Sequence, residues 1–230
     1  MRKIIPILLI IGGLSVAGWN GYVWAKESKT GKEKLAPEEI ELEGWENRDY
    51  IDVIDSENAA AVDEADEEPT DIKETDGEET EEIEERSYEE YDRGDKIGEL
   101  LIPAVDSKYP VYWGTDDETL EKGVGYHDGD FTTPPDGYRH TVLSGHRDTV
   151  FRELGDLDDG DRIYMNFEDV QYEYQIRKTW ITEADDRSVI VDKEAPTLTL
   201  TTCYPFNYLG SAPDRYIIEA ELVETSDRTE

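Results

Sequence analysis

The 230-residue chain contains a single cysteine, Cys203. It ends a β-branched run, Thr197-Leu-Thr-Leu-Thr-Thr-Cys203, of the kind that is typical of a strand. A lone thiol cannot form a disulfide within the chain, so it acts either as a nucleophile or as a small buried hydrophobe. A nucleophilic thiol would require a group that transfers protons and a donor that stabilises an oxyanion.

Three histidines could transfer the proton: His127, His140 and His146. His146 follows a predicted strand and a Ser-Gly turn, a position from which a loop presents its side chains above a sheet. His140 begins the same strand and is expected at its opposite end, whereas His127 lies in a loop rich in Gly and Asp. The presence of the only cysteine at another strand end favours His146 as its partner.

Arg215 could supply the oxyanion donor. It begins an apolar run twelve residues after Cys203, so the two could lie on neighbouring strands. A guanidinium offers several fixed donors and a permanent charge. The alternative is an ordinary edge-strand arginine paired with Asp214 or Glu219.

The region after residue 96 consists of short β-rich runs separated by turn signals, with one short helix at 116–122 capped by Thr115 or Asp116. Seven or eight such strands with little helix predict an all-β fold, a closed or nearly closed β-barrel. The predicted strands cover 97–103, 109–114, 140–144, 161–167, 170–181, 197–202 and 215–223.

The N-terminal part contains an uncharged stretch followed by an acidic one. Residues 4–24 carry no charge, and a helix of this length could cross a bilayer. Arg2 and Lys3 before it favour a cytoplasmic N-terminus. We therefore expect residues 1–25 to hold a single-pass transmembrane anchor, with a cleaved signal peptide as the alternative. Residues 26–95 contain 29 acidic and 8 basic residues and predict a disordered linker, either a spacer or a solvating tail. Residues 96–230 form the predicted folded domain.

The net charge of the chain is −35. This excludes a general nucleic-acid binder, which would need basic patches. A saline habitat is one hypothesis for the acidity, because acidic surfaces stay soluble in salt. Acidic residues are too scattered to single out a calcium site, and we predict no metal and no cofactor.

The motifs Leu-Ser-Gly-His146-Arg, Thr-Leu-Thr-Thr-Cys203 and Asp-Arg215-Tyr, in this order behind an N-terminal anchor, resemble the sortases of Gram-positive bacteria. The resemblance covers about residues 97–224 and is greatest to class D, with class A second and class C third. It implies an eight-stranded sortase-type barrel and a thiol transpeptidase. Such an enzyme cuts a Leu-Pro-x-Thr-Gly-like sorting signal after Thr and joins the new carboxyl to an amine of the peptidoglycan precursor.

The resemblance also implies roles for individual residues. Cys203 would be the nucleophile, His146 the general acid and then base, and Arg215 the oxyanion and substrate-positioning group. Thr202 would assist at the oxyanion. The loop from Ile181 to Pro196, including Val189 and Ile190, would shape the pocket for the signal.

Two other functions remain open from the sequence. The domain could be a hydrolytic cysteine peptidase of the cell envelope, or a wall-associated β-domain without catalytic activity whose thiol packs in the interior. The partners implied by the resemblance are surface proteins that bear the signal, the cell-wall amine and the membrane.

Overall fold

The computed structural model describes residues 12–22, 31–40, 86–207, 210 and 212–228. Within these residues the chain forms nine strands, the short helix Asp117–Leu120, a helical stretch at 12–22 and several three-residue 3-10 helices. The strands are β1 (Glu33–Lys34), β2 (Lys96–Ile102), β3 (Ser107–Trp113), β4 (Val124–Tyr126), β5 (His140–Ser144), β6 (Arg162–Phe167), β7 (Val170–Glu183), β8 (Thr197–Tyr204) and β9 (Asp214–Asp227).

Eight of these strands close into a barrel in the order β3-β2-β6-β7-β9-β8-β5-β4, and the pairing of β4 with β3 completes the ring. Two pairs are parallel, β3 with β4 and β5 with β8. The short strand β1 pairs with the beginning of β3 and is not part of the ring. The prediction of a mainly β, eight-stranded barrel with few helices is confirmed.

The seven predicted strands all occur, and Asp116 caps the short helix by accepting from the Thr119 amide at 3.1 Å. Strands β1 and β4, which are two and three residues long, were not predicted from the sequence. An alternation of apolar and polar residues needs at least four residues to be recognised. These strands were therefore not detectable from the pattern.

The barrel interior is formed by alternating side chains of its strands, as expected of a sheet with one buried face. Leu100, Ile163, Leu198, Leu200 and Ile218 are fully buried in this core. Burial of each such side chain contributes about 1.5–3 kcal/mol, which makes the barrel a rigid support for the loops at its ends.

Residues 31–40 lie on the outside of the barrel, although the sequence analysis assigned them to a disordered linker. Leu35 and Ile40 are buried against Leu101 and Tyr164, and the Gln171 side chain donates to the Glu39 carbonyl at 2.9 Å. Two apolar residues in an acidic stretch form no periodic pattern, yet they suffice to dock on a sheet that the rest of the chain has built.

Residues 86–95 also pack on the barrel, on the linker side of the boundary predicted at residue 96. The Tyr91 ring stacks on Trp113 with centroids 5.2 Å apart, and the Tyr88 hydroxyl donates to Asp136 at 2.9 Å. In this stretch, as in 31–40, the described residues contact the barrel. The rest of the predicted linker, 41–85, lies outside the described residues.

Residues 12–22 are helical. In the part of the chain that the structure describes, no helix combines the length and the apolar character needed to cross a membrane. The remaining residues of the predicted anchor segment, 1–11 and 23–25, lie outside the described ranges.

Candidate active site

Cys203 and Arg215 are direct neighbours across two antiparallel strands. Strand β8 pairs with β9 so that Cys203 lies opposite Arg215. Directly opposed residues share one face of a sheet, with Cβ atoms about 4.5–5.5 Å apart. Both side chains are half-buried, so solvent and a substrate can approach them. The strand register therefore brings the thiol and the guanidinium together.

The bonding of Arg215 separates it from an ordinary edge-strand ion pair. Its guanidinium donates to the main-chain carbonyl of Asp214 at 3.0 Å. The Glu219 carboxylate, the other partner considered from the sequence, pairs with Lys193.

His146 lies at the same end of the barrel as Cys203. Strand β5 runs parallel to β8 with Ser144 opposite Thr201. His146 comes two residues after Ser144, and Cys203 comes two residues after Thr201. Because the strands are parallel, both residues extend the same distance beyond the last paired position.

The turn that carries His146 rests on the core. The His146 carbonyl accepts from the amides of Thr149 and Phe151 at 3.3 and 3.1 Å. Val150 and Phe151 are buried, and a Cβ at Gly145 would lie 2.6 and 2.7 Å from their side chains. Only glycine allows this close approach without a shift of the buried side chains, so the turn requires Gly145.

The other two histidines belong to the opposite end of the barrel. His140 is buried at the start of β5, where its ring nitrogens contact the Val191 carbonyl and the Thr199 hydroxyl, both at 2.8 Å. Burial lowers the pKa of His140 to about 4. His127 follows β4, its amide donates to the Val142 carbonyl, and burial lowers its pKa as well. Of the three, His146 is the histidine that shares an end with the thiol.

The side chain of Thr202 is bonded to the turn before His146, and its oxyanion role stays a prediction. It is 3% exposed, and its hydroxyl donates to the Gly145 carbonyl at 2.7 Å. Adjacent residues of a strand point to opposite faces, so Thr202 does not share the face of Cys203. The hydroxyl joins β8 to the turn before His146, and its proton is already committed there.

The register places Thr182, a residue that the sequence analysis did not select, in the row of Cys203 and Arg215. Thr182 lies opposite Arg215 on β7, whereas Ile181 lies opposite Tyr216. Ile181 is therefore on the other face of the sheet and is 48% exposed. A one-residue difference in register exchanges the two faces, and this difference is not visible in the sequence.

Val189 and Ile190 lie in the loop between β7 and β8, as predicted. Val189 is buried and Ile190 is half-buried. Three contacts hold the following residues: Arg139 pairs with Asp192, His140 contacts the Val191 carbonyl, and Lys193 pairs with Glu219. The loop is thus fixed to the outer face of β5 and β9.

A cavity of about 450 Å³ opens at the far end of β9 from Arg215, where Glu168, Asp169 and Asp227 line it. It is remote from the thiol and does not take part in its chemistry. Within the described ranges, no group of three or more His, Cys, Asp or Glu residues could hold a metal ion. The expectation of a reaction without metal or cofactor stays a prediction.

A thiol, an imidazole and a guanidinium at one end of a closed barrel characterise a cysteine-dependent acyl-transfer enzyme. A family model described as the sortase domain matches residues 100–223. The chain belongs to the sortase family, and it is an enzyme of the cysteine transpeptidase type.

Individual relatives agree with this assignment. The chain is 33% identical to Sortase D of Bacillus subtilis (strain 168) over 97% of its own length and 100% of that protein. It is 25% identical to Sortase A of Bacillus anthracis over 58% of this chain and 63% of the relative. Among solved structures, the catalytic domain of B. anthracis SrtD matches with a TM-score of 0.54 and 53% identity, covering 64% of this chain and 99% of that one. A Clostridium perfringens Sortase D5 transpeptidase matches with a TM-score of 0.53 and 26% identity, covering 59% and 84%. Among these relatives the sequence identity is higher to the two Bacillus class D sortases than to Sortase A, which supports the predicted class D-like character.

Proposed function

We propose that the chain is a membrane-anchored sortase that cleaves a Leu-Pro-x-Thr-Gly-like sorting signal after Thr and transfers the new carboxyl to a cell-wall amine. The observation that carries this proposal is the register that sets Cys203 opposite Arg215, with His146 at the same end of the neighbouring parallel strand. The family membership and the similarity to class D relatives support it.

In the proposed acylation step, the Cys203 thiol has given its proton to His146, and the thiolate sulfur attacks the Thr carbonyl of the signal. The carbon–sulfur bond forms while Arg215 stabilises the negative charge that develops on the carbonyl oxygen. The carbon–nitrogen bond then breaks, and the imidazolium of His146 gives its proton to the leaving Gly amine. The result is a thioester between the protein substrate and the enzyme.

In the proposed transfer step, the amine of the peptidoglycan precursor attacks the thioester. His146 takes a proton from this amine, a new carbon–nitrogen bond forms, and the carbon–sulfur bond breaks to regenerate the thiolate. Water in place of the amine would give hydrolysis. An exclusively hydrolytic peptidase is therefore an outcome that product analysis can recognise.

The first test uses the full chain with peptides that contain Leu-Pro-x-Thr-Gly, with and without an added amine. We expect ligated product only with the amine. Cys203→Ala is expected to abolish turnover, and Arg215→Ala to lower kcat by about a hundredfold or more, the magnitude for loss of an oxyanion donor.

The control for this test is Arg152→Ala, because Arg152 is an exposed arginine outside the site. Equal activity of Arg215→Ala and Arg152→Ala would contradict the role of Arg215. Release of the carboxyl to water alone, at every amine concentration, would indicate the hydrolytic peptidase.

The anchor and the location of the domain form the second part of the proposal. The uncharged residues 4–24 after Arg2 and Lys3 support a single-pass orientation with the catalytic domain on the outer side. Cell fractionation of the full chain and of a version without residues 1–25 tests this, since only the full chain should sediment with membranes. Protection of the domain from protease added to intact protoplasts would contradict the orientation.

A further inference from the structure

One buried side chain, Arg147, joins the loop that carries His146 to the loop that follows Cys203. Its guanidinium donates to the Pro205 carbonyl at 2.9 Å and to the Gly210 carbonyl at 2.8 Å. The side chain is only 7% exposed, while that of Asp148, whose carboxylate lies 3.5 Å away, is 70% exposed. Arg147 is therefore held largely by main-chain carbonyls.

The chemistry of this position requires a guanidinium. A buried cation is costly unless its donors are satisfied, and the planar fork of arginine presents several donors in fixed directions. Pro205 and Gly210 stand five positions apart in the chain, and two nitrogens of one fork reach both carbonyls. An ammonium presents all its donors from one atom, so lysine could not hold the two carbonyls in the same geometry.

A second contact joins the same two loops. A Cβ at Gly155 would lie 2.7 Å from the Phe206 ring, which means that Phe206 packs directly on the loop after His146. The Phe206 ring also contacts Tyr204 and Tyr216, with centroids 5.7 and 5.2 Å away. Tyr204 and Tyr216 directly follow Cys203 and Arg215 in the chain, so this packing involves the residues next to both reactive side chains.

The strand pairing does not extend far enough to hold His146. The pairing of β5 with β8 ends at Ser144 and Thr201, and His146 lies beyond it. Its position relative to the thiol depends on the contacts of its turn. Arg147 is the next residue in the chain, and its bonds end on the segment between Cys203 and Arg215.

We propose that Arg147 is a positioning residue for the transfer reaction. Because its guanidinium binds two carbonyls of the loop between β8 and β9, it fixes the position of the His146 turn relative to the Cys203–Arg215 pair. This inference rests on the proposed function, because it assigns His146 and Cys203 to one reaction. Catalytic groups must be held within a fraction of an ångström of their productive geometry, which explains why a buried charge is placed here.

The experiment compares Arg147→Lys and Arg147→Ala with Arg152→Lys and Arg152→Ala in the full chain. Arg152 is an exposed arginine on the same loop and serves as the matched control. The readouts are kcat and KM for a Leu-Pro-x-Thr-Gly peptide with an amine, the rate of Cys203 alkylation by iodoacetamide at pH 7.5, and the thermal unfolding midpoint. The pH is one near neutrality, where thiol reactivity is conventionally compared.

We expect Arg147→Lys to lower kcat at least about tenfold with little change in KM, since the substrate still binds but the reacting groups are misaligned. Its Cys203 alkylation rate should differ from that of the parent chain by several-fold. Added guanidinium ion should restore part of the kcat of Arg147→Ala and leave Arg152→Ala unchanged.

The proposal is overturned if Arg147→Lys and Arg152→Lys have the same kcat. It is also overturned if activity falls only in proportion to the amount of folded protein, because Arg147 would then act on stability alone. If the parent chain converts none of the peptides, the proposed substrate is wrong, and the alkylation rate still decides: an unchanged rate in folded Arg147→Lys overturns the positioning role.

Discussion

At the scale of single residues, two histidines have different roles because their surroundings differ. His146 and His140 lie six residues apart on the same strand and loop. His140 is fully buried with both ring nitrogens bonded, whereas His146 is half-buried on a turn at the same end of the barrel as the thiol. A histidine with both nitrogens occupied in the interior is held neutral and cannot exchange protons with a substrate.

This difference predicts a pH dependence of stability. Burial lowers the pKa of His140 to about 4 from 6.5, so between these values the unfolded chain binds a proton that the folded chain does not. Stability is therefore expected to fall as the pH drops from 6.5 towards 4, by at most about 1.4 kcal/mol per pH unit from this group.

Urea unfolding of the parent chain and of His140→Gln, measured from pH 4.5 to pH 7, isolates the contribution within the range in which a histidine can titrate. Asp192, Lys193 and Glu219, which also act on His140, remain in both proteins. The parent chain should have the steeper pH dependence. Parallel curves would mean that His140 does not cause the acid sensitivity.

At the scale of elements, the loop between β7 and β8 is attached to the barrel by three side-chain contacts. Arg139, the residue before β5, pairs with Asp192 of the loop, and His140, the first residue of β5, contacts the Val191 carbonyl. Lys193 of the loop pairs with Glu219 of β9. The loop contains Val189 and Ile190, which we expect to contact the sorting signal. Its attachment suggests a pocket that is largely formed before the substrate arrives.

We predict that Lys193→Met raises the KM for the peptide by up to about fivefold and leaves kcat nearly unchanged, because a partly exposed ion pair contributes up to about 1 kcal/mol. Methionine keeps the apolar stem and removes only the charge. The measurement is steady-state kinetics of peptide transfer to an amine.

Arg187→Met is the control for this prediction, since Arg187 is exposed in the same loop. The same KM change in both variants would show that net charge, and not the attachment to Glu219, is responsible. A fall in kcat with an unchanged KM would place Lys193 in the positioning of the reacting groups.

At the scale of the whole molecule, the folded unit extends beyond the barrel strands. Tyr88 and Tyr91 pack on the core at one end, and Arg86 pairs with Asp136 and Glu168. A separate stretch, 31–40, docks on the outer face. Two stretches of the acidic N-terminal part, 31–40 and 86–95, thus contact the domain that this part was expected only to tether.

We predict that a version starting at residue 96 is less stable than one starting at residue 86, by about 2 kcal/mol or more, because the half-buried rings of Tyr88 and Tyr91 lose their packing. Denaturant unfolding of the two versions measures the difference. Equal midpoints would show that residues 86–95 add no stability and that the folded domain begins at residue 96, as predicted.

The sequence by itself determined the residue types of the site and most of the strands. The lone Cys203, the position of His146 after a strand, and Arg215 at the start of the next apolar run were all identified from local pattern, because each lies where a strand with clear alternation begins or ends. The barrel followed from the number of these strands. Short elements such as β1 and β4 carry too few residues to form a pattern.

Only the tertiary structure decided which side chains share a face and which backbone groups each polar side chain meets. It placed Thr182 opposite Arg215, bound the Thr202 hydroxyl to the Gly145 carbonyl, and buried Arg147 between two loops. Register and loop packing arise from contacts between residues dozens of positions apart. Local sequence determines the propensity of each strand, but the partner of each residue is set by the closed sheet as a whole.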